Sequence, residues 1–305
     1  RVVAGDATVL RLTLFGKTRD GRPFVRHVVD AIGFALYLPG IEMTLAATLY
    51  SPDVGERQML FEHLDKLRPK DILVLDRGYP AYWLFAALLQ RGRHFCRRAD
   101  SLNFSAIQAF RRSGLAEQIV RLPAPCKQDA LDYEIAATPS EVRLIRQVFG
   151  HKVRVLVTSL LDLDAYPAGE FGALYHSRWR IEEAFKRIKH RLALEHLSGM
   201  SWLAAPQDFG AKILCDNINA LAVHAASESL DPNIRARYFI NRGDTFSRLK
   251  RTLGRWLLQG LDALDNIASV FNELIKNLVQ IKPNRSYPRR FAQKPHLSHA
   301  YKNGV

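Results

Sequence analysis

A mixed α/β sheet flanked by helices is the fold class this sequence predicts, and three features predict it. The first fifty residues carry strand-length runs rich in β-branched and aromatic residues. A short, wholly apolar run, Ile72-Leu73-Val74-Leu75, lies between two helical patterns, as a buried central strand does. The segment from Leu174 to Leu194 contains neither Pro nor Gly and reads as a helix.

Taken in order, residues 9–15 alternate, with Val9, Leu10, Leu12 and Leu14 among polar partners, and predict a strand. Residues 16–23 form a turn around Asp20-Gly21. Residues 24–40 and 41–52 read as two further strands of an antiparallel meander. Met59, Leu60, His63, Leu64 and Leu67 recur at helical spacing within 55–69. The apolar run then delivers Asp76 at its carboxyl end, and residues 81–92 form the next helix. Three strands, a helix, a strand and a helix is the order of an RNase H-like core. Between Asp76 and Glu182 lie 105 residues, too many for one loop. Within them 94–100, 117–123, 142–150 and 151–162 read as strands. Helical patterns follow at about 206–229, 245–258 and 260–280, and a polar, basic tail closes the chain.

The Leu174–Leu194 helix concentrates chemistry on one stripe. With about 100° per residue and Tyr175 at zero, Arg178, Glu182 and Lys189 fall at about 300°, 340° and 320°. Leu174, Ile181, Phe185, Ile188 and Leu192 occupy the adjoining sector, which buries. A carboxylate that can hold a divalent metal therefore sits beside two cations and a phenol that can bind phosphate oxygens. An amphipathic helix with pairs such as Glu182 to Lys186 accounts for the same letters. Asp6 can equally be an exposed strand residue, and Asp76 can form an Asx turn with Gly78.

The spacing Tyr175-x2-Arg178-x3-Glu182-x6-Lys189 resembles the signature of a family of bacterial insertion-sequence transposases of the DDE class. Residues 178–189 are similar to that family's RW-x-IE-x-x-F-x-x-x-K helix, and the segments around Asp6 and around Asp76-Arg77-Gly78-Tyr79 to its first two acidic motifs. The resemblance covers roughly 1–225 and includes the closing Ser286–Arg290 run. It implies an RNase H-like core in two parts, 1–92 and 163–230, interrupted by a β-rich insertion at 93–162. C-terminal helices at 231–285 and a basic tail at 286–305 complete the division. It implies that Asp6, Asp76 and Glu182 are catalytic and hold two Mg²⁺ ions, with Mn²⁺ able to substitute; hard oxygen donors favour Mg²⁺ over zinc. Tyr175, Arg178 and Lys189 would bind DNA phosphates, with Arg77, Arg97 and Arg98 as further DNA contacts. The implied activity is cleavage at transposon ends and strand transfer into target DNA by a homodimer in a synaptic complex, in the bacterial cytoplasm at the nucleoid. A metal-dependent nuclease of the same fold without strand transfer, or a non-catalytic DNA-binding remnant, are the rival readings.

Composition agrees with a nucleic-acid partner. Lys and Arg number 44 against 30 Asp and Glu, a net charge of +14. Residues 91–127 hold eight basic and two acidic residues, which reads as a DNA-facing surface. No apolar run of about 18 residues and no signal-peptide pattern occurs, so no membrane partner is expected. The chain opens at Arg1 inside a strand-like segment, so an upstream region is expected. The three cysteines show no metal spacing and read as buried, reduced thiols. No GxGxxG or GxxxxGK[ST] run occurs, which excludes a nucleotide cofactor as an expectation. Tyr79, Trp83 and Trp179 read as core aromatics.

Overall fold

The computed structural model describes residues 1–79, 81–99, 104–149, 152–199, 202–260 and 264–282; the basic tail at 286–305 lies outside them. Two compact units divide the chain at Gly210–Ala211. In the first, β1 (Val2–Lys17) and β2 (Pro23–Leu38) form a long antiparallel hairpin, and β3 (Met43–Tyr50) pairs with β2. Gly21, at φ +82°, takes the left-handed conformation of the Asp-Gly turn that a side chain would oppose. The helix α1 (Glu56–Glu62) leads to β4 (Ile72–Leu75), which runs parallel to β1. The helix α2 (Tyr82–Gln90) then leads to β5 (His94–Arg98), parallel to β4.

The sheet does not end there. The helix α3 (Ser105–Ser113), β6 (Glu117–Leu122), the helix α4 (Lys127–Asp132), β7 (Ser140–Phe149) and β8 (Lys152–Thr158) follow. The strand order is β3-β2-β1-β4-β5-β8-β7-β6, one eight-stranded mixed sheet. The first four strands and the two helices α1 and α2 follow the predicted order, and β5, expected in the insertion, adds to them as a parallel strand. The strands expected in an insertion are present, but β5 pairs parallel to β4 and β8 joins β5 antiparallel, so all of them extend the same sheet. The short helices α3 and α4 carry no long periodic pattern and were not legible in the sequence.

Each face of the sheet is covered. On one face Val3, Phe34, Leu36, Leu73, Leu75 and Phe95 pack against Met59 and Leu60 of α1 and Leu84, Phe85 and Leu88 of α2. The opposite face is covered by α5 (Phe171–His176) and α6 (Trp179–Arg191). There Val74, Cys96, Ile145 and Leu156 meet Phe171 and Tyr175, while Ala4, Ala35 and Tyr37 meet Ile181, Ala184 and Phe185. Leu174–Leu194 is therefore two helices, where the sequence suggested one. The join, Ser177–Arg178, keeps helical dihedrals, but Arg178 N–H and Ile181 N–H bond three residues back, and the Ser177 hydroxyl donates to Leu174 O at 2.6 Å. A 3₁₀-like turn of this kind tightens the chain without ending the helical direction.

The helix α7 (Ala204–Glu228) runs across the division, and at its first turns Phe209 packs on β2 where Gly33 leaves room: a Cβ there would lie 3.0 Å from Phe209 Cε2. The second unit contains α8 (Pro232–Arg237), β9 (Tyr238–Ile240), α9 (Arg242–Gln259), α10 (Leu264–Leu274) and β10 (Leu278–Gln280). Ala222, Ala226, Ile240, Leu249 and Leu274 form its core. The third C-terminal helix ends at Leu274, earlier than the periodicity suggests, because the next residues pair as β10 with β9. None of the described helices is long and apolar enough to cross a membrane. All three cysteines are free, but only Cys96 is buried; Cys126 is exposed and Cys215 half-buried, which corrects the expectation of three buried thiols.

A buried cation holds the far strands to the loop before α5. Arg143 on β7 pairs with Glu117 of β6 through Nε (2.8 Å), donates from Nη1 to Tyr166 O at 2.7 Å and lies over the Phe171 ring. Replacing Arg143 by Met should lower the unfolding free energy by about 2–3 kcal/mol, since both acceptors are left without their donor. Denaturant titration checks this, and a loss below about 0.5 kcal/mol, ordinary for a surface site, contradicts it.

Candidate active site

Sheet register places the first two carboxylates side by side. The β1–β4 ladder runs parallel from Val2↔Ile72 to Gly5↔Leu75. Asp6 and Asp76 are the next residue on each strand, so they stand together where β4 ends. Side chains alternate across a strand. Gly5 and Leu75 face α1 and α2, so Asp6 and Asp76 face α5 and α6. Just before β4 begins, buried Asp71 accepts from Arg1 Nη2 at 2.6 Å, a contact that ties the starts of the two strands together.

The third acidic residue arrives from α6. Its buried stripe, Ile181, Ala184, Phe185 and Ile188, seats the helix on the sheet and turns Glu182 towards the strand ends. Arg178, at the tightened join, is 5% exposed and reaches all three acids. Its Nη1 lies 3.3 Å from Asp6 Oδ2, its Nη2 2.5 Å from Glu182 Oε1, and its Nε 4.0 Å from Asp76 Oδ1. The Tyr175 hydroxyl donates to Asp76 Oδ1 at 3.4 Å. Five of the residues singled out in the sequence, from four separate elements, thus form one cluster.

Burial dominates the electrostatics here. It pushes the Asp6 carboxyl up to about 7; Arg178 and the Ala7 N–H oppose the rise, and Glu182 and Glu56 add to it. Burial also pushes the Tyr175 hydroxyl up to about 12, so it remains a donor at neutral pH. Arg178 is held above its ordinary value: burial opposes its charge, and Glu182, Asp76 and Tyr175 outweigh that opposition.

The other predicted residues lie apart from this cluster or beneath it. Lys189 is half-buried and donates from Nζ to Val9 O at 2.6 Å. Arg77 is exposed on the turn after Asp76, and Arg98 is half-buried. Arg97, read as part of a DNA-facing surface, is fully buried. It faces inward from β5, lies over the Phe85 ring and donates from Nε and Nη2 to Arg98 O. Burial lowers its pKa to about 10, with Tyr175 and Asp76 opposing, so it stays a cation behind the site. Tyr79 and Trp83 are buried as expected, while Trp179 is 45% exposed. Sequence reading passed over Glu56 and Arg154. Glu56 opens a seven-residue helix with no motif around it, and Arg154 lies within a plain strand pattern, over the Tyr175 ring.

A group of carboxylates gathered at parallel strand ends and closed by a helix defines the class: an α/β domain with an acidic centre. A family model described as the transposase DDE domain matches residues 2–218, and the chain belongs to that family. Transposase InsG of insertion sequence element IS4 from Escherichia coli (strain K12) is 26% identical over 148 residues, covering 47% of this chain and 32% of that protein. The match thus spans about a third of that relative's length. A piggyBac transposase synaptic complex with hairpin DNA aligns with 93% of this chain and 59% of its own, at 12% identity and a TM-score of 0.48.

The family implies a divalent metal. The three acids offer only carboxylate oxygen, which suits a hard cation. Among the described residues no group of three or more His, Cys, Asp or Glu is arranged to hold a metal ion, and Arg178 lies between the acids instead. The donors fit a divalent cation in kind, and the guanidinium marks where positive charge is needed.

The Asp6 shift has a measurable consequence. A carboxyl whose folded pKa, about 7, exceeds its unfolded value binds its proton more tightly in the folded state. Its contribution to stability is present below about pH 4 and is lost as pH rises to about 7. Without divalent cations, Asp6→Asn should therefore unfold at a higher temperature than the parent at pH 8, by roughly 2–4 °C per kcal/mol regained. The gap should close towards pH 4. Thermal unfolding across that range checks it, and a gap independent of pH contradicts it.

Proposed function

We propose that this chain is the catalytic domain of a DNA transposase that cuts at element ends and joins the freed 3′-hydroxyl to target DNA. The observation that carries the reading is the convergence of Asp6, Asp76 and Glu182 on one guanidinium, from positions 176 residues apart at the extremes. Family membership over residues 2–218 supports the same chemistry.

Asp6, Asp76 and Glu182 are the residues that would hold divalent cations, Mg²⁺ with Mn²⁺ as a substitute. Bound there, the cation supplies charge for the pentavalent phosphorus and activation of the attacking water or 3′-hydroxyl. Arg178 has a further role to offer. Its Nε is buried without a hydrogen bond, so the fork can take up a phosphate oxygen beside the acids. Tyr175 can turn its single O–H from Asp76 to the same phosphate, and Lys189 can hold a neighbouring one. The partner is DNA, engaged as a homodimer at the bacterial nucleoid. The +14 charge favours phosphate contacts. Exposed Arg77, Arg111, Arg112 and Arg121, together with Arg98, are the cations available for them, whereas Arg97 acts from within.

Asp76→Asn and Glu182→Gln should each abolish Mg²⁺-dependent cleavage and joining while DNA affinity stays within about threefold, since phosphate contacts dominate affinity. Cleavage gels, joining of pre-cut ends and binding titrations read the three properties separately. Cleavage by Glu182→Gln contradicts the assignment. Cleavage by the parent without any joined product favours a nuclease, and binding with neither activity favours a non-catalytic remnant.

Reversing Arg111 and Arg112 to Glu should weaken binding to all DNA sequences. It should also flatten the slope of log affinity against log salt by about 0.9 for each phosphate that is no longer neutralised. An unchanged slope removes this face from the DNA interface.

A further inference from the structure

A fourth carboxylate stands near the three, and a buried hydroxyl close to Asp76 in sequence lacks a partner. Glu56 is the first residue of α1 and is exposed. Its Oε2 lies 3.5 Å from the position a Cβ would take on Gly78, two residues beyond Asp76. Among the described residues its carboxylate makes no hydrogen bond or ion pair. Glu56 and Gly78 line one open groove of about 390 Å³, ample for ordered water. Burial raises the Glu56 carboxyl, and the neighbouring Asp76 raises it further, as two like charges at close quarters must.

Tyr79 supplies the second, independent observation. Its ring is wholly buried among the α1–α2 core side chains, and its hydroxyl has no hydrogen-bond partner. Buried polar groups are almost always partnered, by protein or by ordered water. The charges that act on this hydroxyl after burial are, in order, those of Glu56, Asp6 and Asp76. It is thus a donor close to these acids and hydrogen-bonded to none of them. A water between them would complete its hydrogen bonding.

We propose that Glu56 is a fourth carboxylate of the acidic centre and that, with the Tyr79 hydroxyl, it holds a water carried by the divalent cation. The proposal rests on the reading of Asp6, Asp76 and Glu182 as cation-binding groups. Glu56 and Tyr79 are positioning residues in it: neither needs to touch the cation. Groups that orient the ligands of a metal contribute to its affinity nearly as directly as the ligands do. The bland account of Glu56 is an acid favoured by the helix N-terminus. That account predicts a change in stability on substitution and none in cation affinity.

The test is Mn²⁺ binding to the full chain, without DNA, followed by the electron paramagnetic resonance of free Mn²⁺. Thermal unfolding of each variant serves as a folding control. Glu56→Gln should weaken Mn²⁺ binding by about tenfold. Tyr79→Phe, which keeps the ring in the core, should weaken it by about threefold, the loss of one hydrogen bond. Added to Glu56→Gln, Tyr79→Phe should cost nothing more, because both act on one water. Parent-like Mn²⁺ affinity in Glu56→Gln overturns the proposal, and so do fully multiplicative effects of the two changes. Asp76→Asn separates the two levels of failure. If Asp76→Asn loses Mn²⁺ and Glu56→Gln does not, the fourth carboxylate fails and the cation site stands. If neither variant differs from the parent, both fail together.

Discussion

The contact on which the site depends is the bridge from Arg178 to three carboxylates. Like charges gathered at the edge of a core repel, and each loses hydration. A single guanidinium, itself 5% exposed, offsets both costs by donating to Asp6 and Glu182 while its Nε lies 4.0 Å from Asp76. Planarity and a fixed fork make arginine suited to this where a lysine would offer one point of charge. Burial still leaves Asp6 with a carboxyl raised to about 7, so one cation is not enough to keep the group fully ionised. A centre in that condition favours the arrival of more positive charge, and this is the property a metal-dependent phosphoryl-transfer site needs.

The rest of the first unit serves that bridge. Parallel register between β1 and β4 sets Asp6 beside Asp76, and a slip of one residue would send one of them to the other face. The packing of α6 through Ile181, Ala184 and Phe185 aims Glu182, and the tightened turn at Ser177–Arg178 carries the guanidinium inward. Two further buried arginines lie on opposite faces of the sheet, Arg97 over Phe85 and Arg143 over Phe171. Arg97 keeps a positive charge behind Asp76 and Tyr175, and Arg143 fixes the loop that leads into α5. Arg97 points into the protein from a stretch that reads, by composition alone, as basic and DNA-facing.

Most of the core was legible because its signals are local. Alternation at 9–15 gave part of β1, β-branched and aromatic content gave β2 and β3, a four-residue apolar run gave β4, and the spacing of Tyr175, Arg178 and Glu182 placed three groups on one stripe. What stayed hidden depends on partners far along the chain. Arg97 and Arg98 are indistinguishable as letters; strand alternation buries the first and leaves the second half-buried, and no composition count shows which. Glu56 carries no motif, and its place beside Gly78 follows from how α1 packs. The break at Ser177 is invisible to a periodicity that continues through it. Lys189 lies on the predicted stripe, yet its ammonium bonds to Val9 O because β1 runs on past Asp6 beneath it.

An acidic centre is assembled by one arginine in a basic chain that belongs to the transposase DDE family. The central claim is that the three carboxylates form a cation site that Arg178 holds together in the protein alone. The most direct measurement is a crystal structure of the chain soaked in Mn²⁺, with the metal located by its anomalous scattering. The predicted result is manganese bound by oxygens of Asp6, Asp76 and Glu182, with the Arg178 guanidinium moved out from between them. Ordered manganese elsewhere, with the Arg178 bridge to all three acids intact, would contradict it.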